Sequence, residues 1–98
     1  MKTIKITVIR RAEYRDLMEL YENELEEECC MTIGMTYIIN DLVKPSGFCN
    51  VAWNILIPFI KSLDAGNEIF PGWMKNKESY MVSCNDGFRP VSYLLEVI

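Results

Sequence analysis

Apolar and polar residues alternate at the start of the chain, where Ile4, Ile6 and Val8 fall between Thr3, Lys5 and Thr7. This period of two predicts a strand with one buried and one wet face. The period then lengthens. Over residues 11–28, Tyr14, Leu17, Met18, Tyr21 and Leu25 recur at helical spacing while Glu, Asp and Arg fill the opposite side, which predicts an amphipathic helix. Its end carries Glu26, Glu27 and Glu28, three anions where the helix dipole is already negative. That turn is expected either to fray or to meet a cation or a basic partner. After Gly34, the β-prone run 35–40 predicts a second strand that stops at Asn40-Asp41.

The stretch from Cys49 to Leu63 is apolar on nearly every side, with Val51, Ala52, Trp53, Ile55, Leu56, Ile57, Phe59 and Ile60. It predicts a helix with no wet face, kinked where Pro58 removes the hydrogen bond to the Asn54 carbonyl and closed by Gly66 as a left-handed cap. A small domain has difficulty burying such a helix, so a subunit interface is the expected cover. Residues 67–77 contain Ile69, Phe70, Pro71, Gly72, Trp73 and Met74 without a period. This loop either folds Phe70 and Trp73 back over the core or offers them to a ligand or partner.

Residues 79–98 form two alternating apolar runs around Asn85-Asp86-Gly87, a hairpin signal. A two-residue turn would place Pro90 at a hydrogen-bonded position, and proline has no N–H to give. A loop of residues 85–88 avoids this and closes on Cys84 opposite Arg89, with Val82 opposite Val91 and Tyr80 opposite Tyr93. Together the elements predict one α+β domain over residues 1–98. It has a small antiparallel sheet of about four strands, near 3–9, 35–40, 79–84 and 90–97, and two main helices, near 12–28 and 50–63, packed on it.

Composition narrows the function classes. Ninety-eight residues suit a single core, and net charge −4 argues against nucleic acid or an anionic membrane as partner. Eight of the fourteen carboxylates lie between Glu13 and Glu28, so the acid is local. The first residues lack an uninterrupted apolar signal segment and no apolar run is long enough to span a bilayer, so the expected compartment is the cytoplasm. A reducing compartment keeps Cys29, Cys30, Cys49 and Cys84 as thiols whose role is packing, metal binding or redox chemistry.

Cys49 stands at a helix start, where unpaired N–H groups favour a thiolate, and Cys84 is expected to face the Arg89 cation. Cys29 and Cys30 follow three glutamates, which act the other way. If the fold gathers Cys30, Cys49 and Cys84, they form either a three-thiolate metal site or a dithiol with a third member. Their spacing matches no metal signature, and as buried small hydrophobes they would need no such role. With no histidine in the chain, neither a Ser-His nor a Cys-His pair exists, which disfavours a conventional hydrolase.

The residues 5–9, Gly47-Phe48-Cys49 with Ala52-Trp53 and Pro58, and above all Cys84-Asn85-Asp86-Gly87-Phe88-Arg89-Pro90-Val91 resemble a family of small prokaryotic proteins of about ninety residues and unassigned function. The most specific element is Cys-x-Asp-Gly-x-Arg-Pro-Val. The resemblance implies that Cys49 and Cys84 are family features. In that family a cysteine, often followed by proline, also precedes the second strand, where this chain has Cys29-Cys30-Met31. Neither the residues nor the resemblance names a cofactor, reaction or substrate. Two readings remain, both centred on Cys30, Cys49, Cys84, Asp86 and Arg89: a non-catalytic module that binds a ligand or partner and dimerises through the 49–63 helix or a sheet edge, or a metal-binding or redox-active thiol protein with Cys49 and Cys84 as principal residues, Cys30 or Cys29 as the third, and Arg89 tuning Cys84.

Overall fold

The computed structural model describes residues 1–24 and 29–98. Four strands, β1 (Ile4–Arg11), β2 (Thr36–Ile39), β3 (Ser79–Ser83) and β4 (Val91–Val97), form one antiparallel sheet in the order β2-β1-β4-β3. Two helices, α1 (Arg15–Tyr21) and α2 (Asn50–Asp64), complete the α+β fold. The alternation along β1 and β4 sends Ile4, Ile6, Val8, Val91, Tyr93 and Leu95 to one face, where they are buried, and α2 packs over that face at β3 and β4. Among the described residues, no helix is long and apolar enough to cross a membrane.

Helix α2 differs from its expected form. Ala52, Trp53, Leu56, Ile60 and Leu63 are buried, but Val51, Asn54, Pro58 and Lys61 lie exposed, so the helix does have a wet face. The mostly apolar sequence hid this because only Asn54 and Lys61 mark the side in the middle of the helix. Pro58 sits on the exposed side of an unbroken helix. The expected cap is present: Gly66, at φ 79°, donates its N–H to the Leu63 carbonyl while Asn67 donates to Ser62, closing the helix in a Schellman arrangement.

Helix α1 is the larger correction, since a helix over 12–28 packed on the sheet was expected. It begins only at Arg15, spans seven residues and buries none of them, with Leu20 71% and Tyr21 75% exposed. The reason is competition for the backbone. The Ala12 and Tyr14 N–H groups donate to the carbonyls of Pro90 and Phe88, both at 2.9 Å, so the chain stays extended beside the hairpin loop until residue 14. Residues 25–28, with the three glutamates of the expected helix end, lie outside the described residues. Arg15 approaches Glu13 at 3.6 Å.

The hairpin register also differs. Ser83 pairs with Ser92, Val82 with Tyr93 and Tyr80 with Leu95, so Cys84 stands opposite Val91, not Arg89, and the loop is 85–90. An even shift keeps every side chain on its expected face, which is why Tyr80, Val82 and Tyr93 are still buried. The longer loop is held by Asp86, whose Oδ1 accepts the Phe88 and Arg89 N–H groups at 2.8 and 3.1 Å, and by the Pro90 and Phe88 carbonyls that serve residues 12 and 14. A bulge between Val8 and Arg10 realigns β1, bringing Arg11 opposite Val91, and its guanidinium donates to the Cys29 carbonyl at 3.4 Å.

Candidate functional site

Four pieces of chain meet at one end of the covered sheet face: the 29–31 segment, the start of α2, the loop after β3 and the middle of β4. Between them lies a cleft of about 490 Å³, lined by Cys29, Cys30, Cys49, Val51, Ala52, Cys84, Asn85, Asp86, Arg89 and Tyr93. Small-molecule sites usually occupy roughly 300–1,000 Å³, so the size suits a ligand. The fold thus brings together Cys30, Cys49, Cys84, Asp86 and Arg89, and adds Cys29.

Each wall is built locally. Gly47, at φ 77°, lets the chain turn sharply into α2, with the Phe48 N–H donating to the Pro45 carbonyl at 3.2 Å. Phe48 then anchors this turn in the core, with its ring 4.9 Å from Tyr37, 5.9 Å from Trp53 and 5.5 Å from Tyr93. Cys49 is the N-cap residue of α2 but makes no side-chain cap hydrogen bond. The Cys30 thiol points toward the Gly47 carbonyl at 3.8 Å, and buried Met31 fixes the segment that carries it.

Cys84 is held differently from the expected pairing with Arg89. Its Sγ accepts the Val91 N–H at 3.2 Å, while its own carbonyl accepts the Ser83 hydroxyl at 2.8 Å. The Arg89 guanidinium turns to Glu22, with which it forms a two-pronged ion pair, Nη1 to Oε2 and Nη2 to Oε1, both at 2.8 Å. The two side chains are only 15% and 12% exposed. Among the described residues, the carboxylate that engages Arg89 is Glu22 at the end of α1, whereas Asp86, nearest in sequence, fixes the loop backbone.

Burial pushes the Cys29 thiol above its ordinary range; the Met31 backbone pulls it partly back, and the thiols of Cys49, Cys30 and Cys84 push it further up. Tyr93 carries the strongest anomaly. It is 0% exposed, and its hydroxyl is the buried side-chain polar atom without a hydrogen-bond partner among the described residues. Burial raises its phenol far above the usual range, and the four nearby thiols add to the rise, so the group is a protonated donor at neutral pH. No motif marked Tyr93; the one available signal was a tyrosine at an inward strand position between Val91 and Leu95.

Among the described residues, no group of three or more Cys, Asp or Glu side chains is arranged to hold a metal ion, so Cys30, Cys49 and Cys84 share a cleft without forming the three-thiolate set. Phe70 and Trp73 stand apart from the cleft. Phe70 packs at a tilt against Trp73 at 4.6 Å and Tyr80 at 5.4 Å, and Tyr80 stacks on Phe59 at 5.7 Å, so the loop reaches back to the sheet through a partly exposed Phe70 and leaves Trp73 more exposed still. No known family model, curated protein or solved structure matches the chain.

Proposed function

We propose that the protein is a non-catalytic binding module whose ligand occupies the thiol-lined cleft, and that it acts as a homodimer. The observation that carries the ligand site is the Tyr93 hydroxyl. A buried hydroxyl without a partner costs about 1–3 kcal/mol, and a ligand in the cleft that bonds to it removes that cost. The size of the cleft and its mixture of apolar wall with a few polar groups support the same reading. A panel of small probes differing in charge tests it: propionate, propylamine and 1-propanol, each titrated into the native chain and followed by two-dimensional amide NMR. At least one probe is expected to shift the cleft residues saturably. A panel that leaves them all unmoved would sink the binding reading.

The meeting of all four free cysteines at one cleft favours a second reading, thiol–disulfide exchange. Two cleft thiols would lose two hydrogens and form one disulfide, while a low-molecular-weight disulfide such as oxidised glutathione is reduced to two thiols. Intact mass after incubation with oxidised glutathione distinguishes the two. An unchanged mass together with probe binding leaves the binding module standing alone.

A further inference from the structure

Building on that reading, we propose that the cleft takes a small organic monocarboxylate, its carboxylate placed between the N-terminus of α2 and the Tyr93 hydroxyl. Two independent sets of hydrogen-bond donors support this. The first is backbone. Among the described residues, the N–H groups of Asn50, Val51 and Ala52 have no acceptor, Cys49 provides no cap, and the first turn carries no acidic residue. These groups form the positive end of a fifteen-residue helix, and Val51 and Ala52 line the cleft. The second is Tyr93 on β4, fully buried, without a hydrogen-bond partner for its hydroxyl among the described residues, and on the wall of the same cleft. Donors on two elements that share one space call for an acceptor with more than one lone pair, and the helix end favours a negative one.

The side chains that line the cleft favour a monoanion over a dianion. Arg89 is engaged by Glu22 on both prongs, and Asp86 brings a carboxylate to the lining. Asp86 repels a dianion more strongly than a monoanion, which can sit at the helix end away from that carboxylate. The rest of the wall, Val51, Ala52 and the sulfurs, suits a short apolar tail.

The test titrates the native full chain with sodium propionate and, in parallel, with sodium chloride and sodium sulfate at equal ionic strength, reading amide shifts. Propionate is expected to shift Asn50, Val51 and Ala52 saturably, with chloride and sulfate lacking that effect. Tyr93→Phe should weaken propionate about tenfold, the loss of one hydrogen bond to a charged group. Val51→Asp, an exposed first-turn position that supplies an internal carboxylate, should abolish propionate binding without touching the core, and it decides the matter if Tyr93→Phe fails to fold. Equal binding of sulfate, or propionate shifts unaltered in both variants, would overturn the assignment. If propylamine or 1-propanol shifts the cleft and propionate does not, the monocarboxylate is refuted and the binding module survives. If none of the probes does so, both fall.

Discussion

Tyr93 and Arg89 show how one side chain's surroundings decide its role. Since the Tyr93 hydroxyl is buried without a partner among the described residues, Tyr93→Phe should stabilise the unliganded protein by roughly 1–3 kcal/mol in chemical denaturation. A destabilised variant would mean that the hydroxyl is bonded after all. The phenol also sets a pH dependence. Its folded pKa lies above the ordinary value of 10.0, so above that pH the unfolded chain releases this proton more readily than the folded one. The phenol's contribution to stability is therefore complete below about pH 10 and is lost as the pH rises further. Denaturation midpoints measured from pH 8 to 11.5 should fall more steeply in the parent than in Tyr93→Phe, and parallel curves would contradict this. Raised Cys29 adds a loss of the same sign above 9.0, its ordinary value, in both proteins. Arg89 behaves oppositely. Its charge is committed to a largely buried carboxylate, so Arg89→Ala should cost on the order of 3 kcal/mol and leave the alkylation rate of Cys84 unchanged across pH. A slowed Cys84 with unaltered stability would restore the thiol-tuning role anticipated from sequence.

At the scale of elements, the hairpin loop is the joint of the molecule. Asp86 gathers two of its N–H groups, and the Phe88 and Pro90 carbonyls hold the strand extension that shortens α1. Asp86→Ala should remove about 1–2 kcal/mol, since each lost bond is worth about 1 kcal/mol, and speed amide exchange at Phe88 and Arg89 first. Exchange that accelerates uniformly along β4 instead would show that the loop is not an independent unit. The element types were legible because each is specified within a few residues: alternation at 4–8 and 91–97, the apolar density of 50–64, and Gly66 as the cap. The start of α1 was not legible. Its helical period extends back to Tyr14, yet the Phe88 carbonyl, distant in sequence, captures the backbone there.

At the scale of the molecule, Leu17, Leu20 and Tyr21 of α1 and Trp73 remain uncovered among the described residues. The proposed homodimer rests on these side chains, because Leu56, Ile60 and Leu63 of α2 are buried within the chain. Sedimentation at micromolar concentration is expected to show a dimer, and Leu20→Glu with Tyr21→Lys should shift it toward monomer without lowering the melting temperature. A monomeric parent would remove this part of the proposal.

What the order of residues determined by itself was local: where the chain alternates, where it coils, where it turns, and which side chains face inward. These follow from periodicity and backbone preference over a few neighbours. The tertiary structure alone decided the partners. Glu22 reaches Arg89 across 67 positions, Val91 replaces Arg89 opposite Cys84, and four cysteines from three separate regions converge on a buried tyrosine. Such choices depend on competition among distant donors and acceptors, and that competition is settled only when the sheet has formed and each polar group must find whatever partner lies within reach.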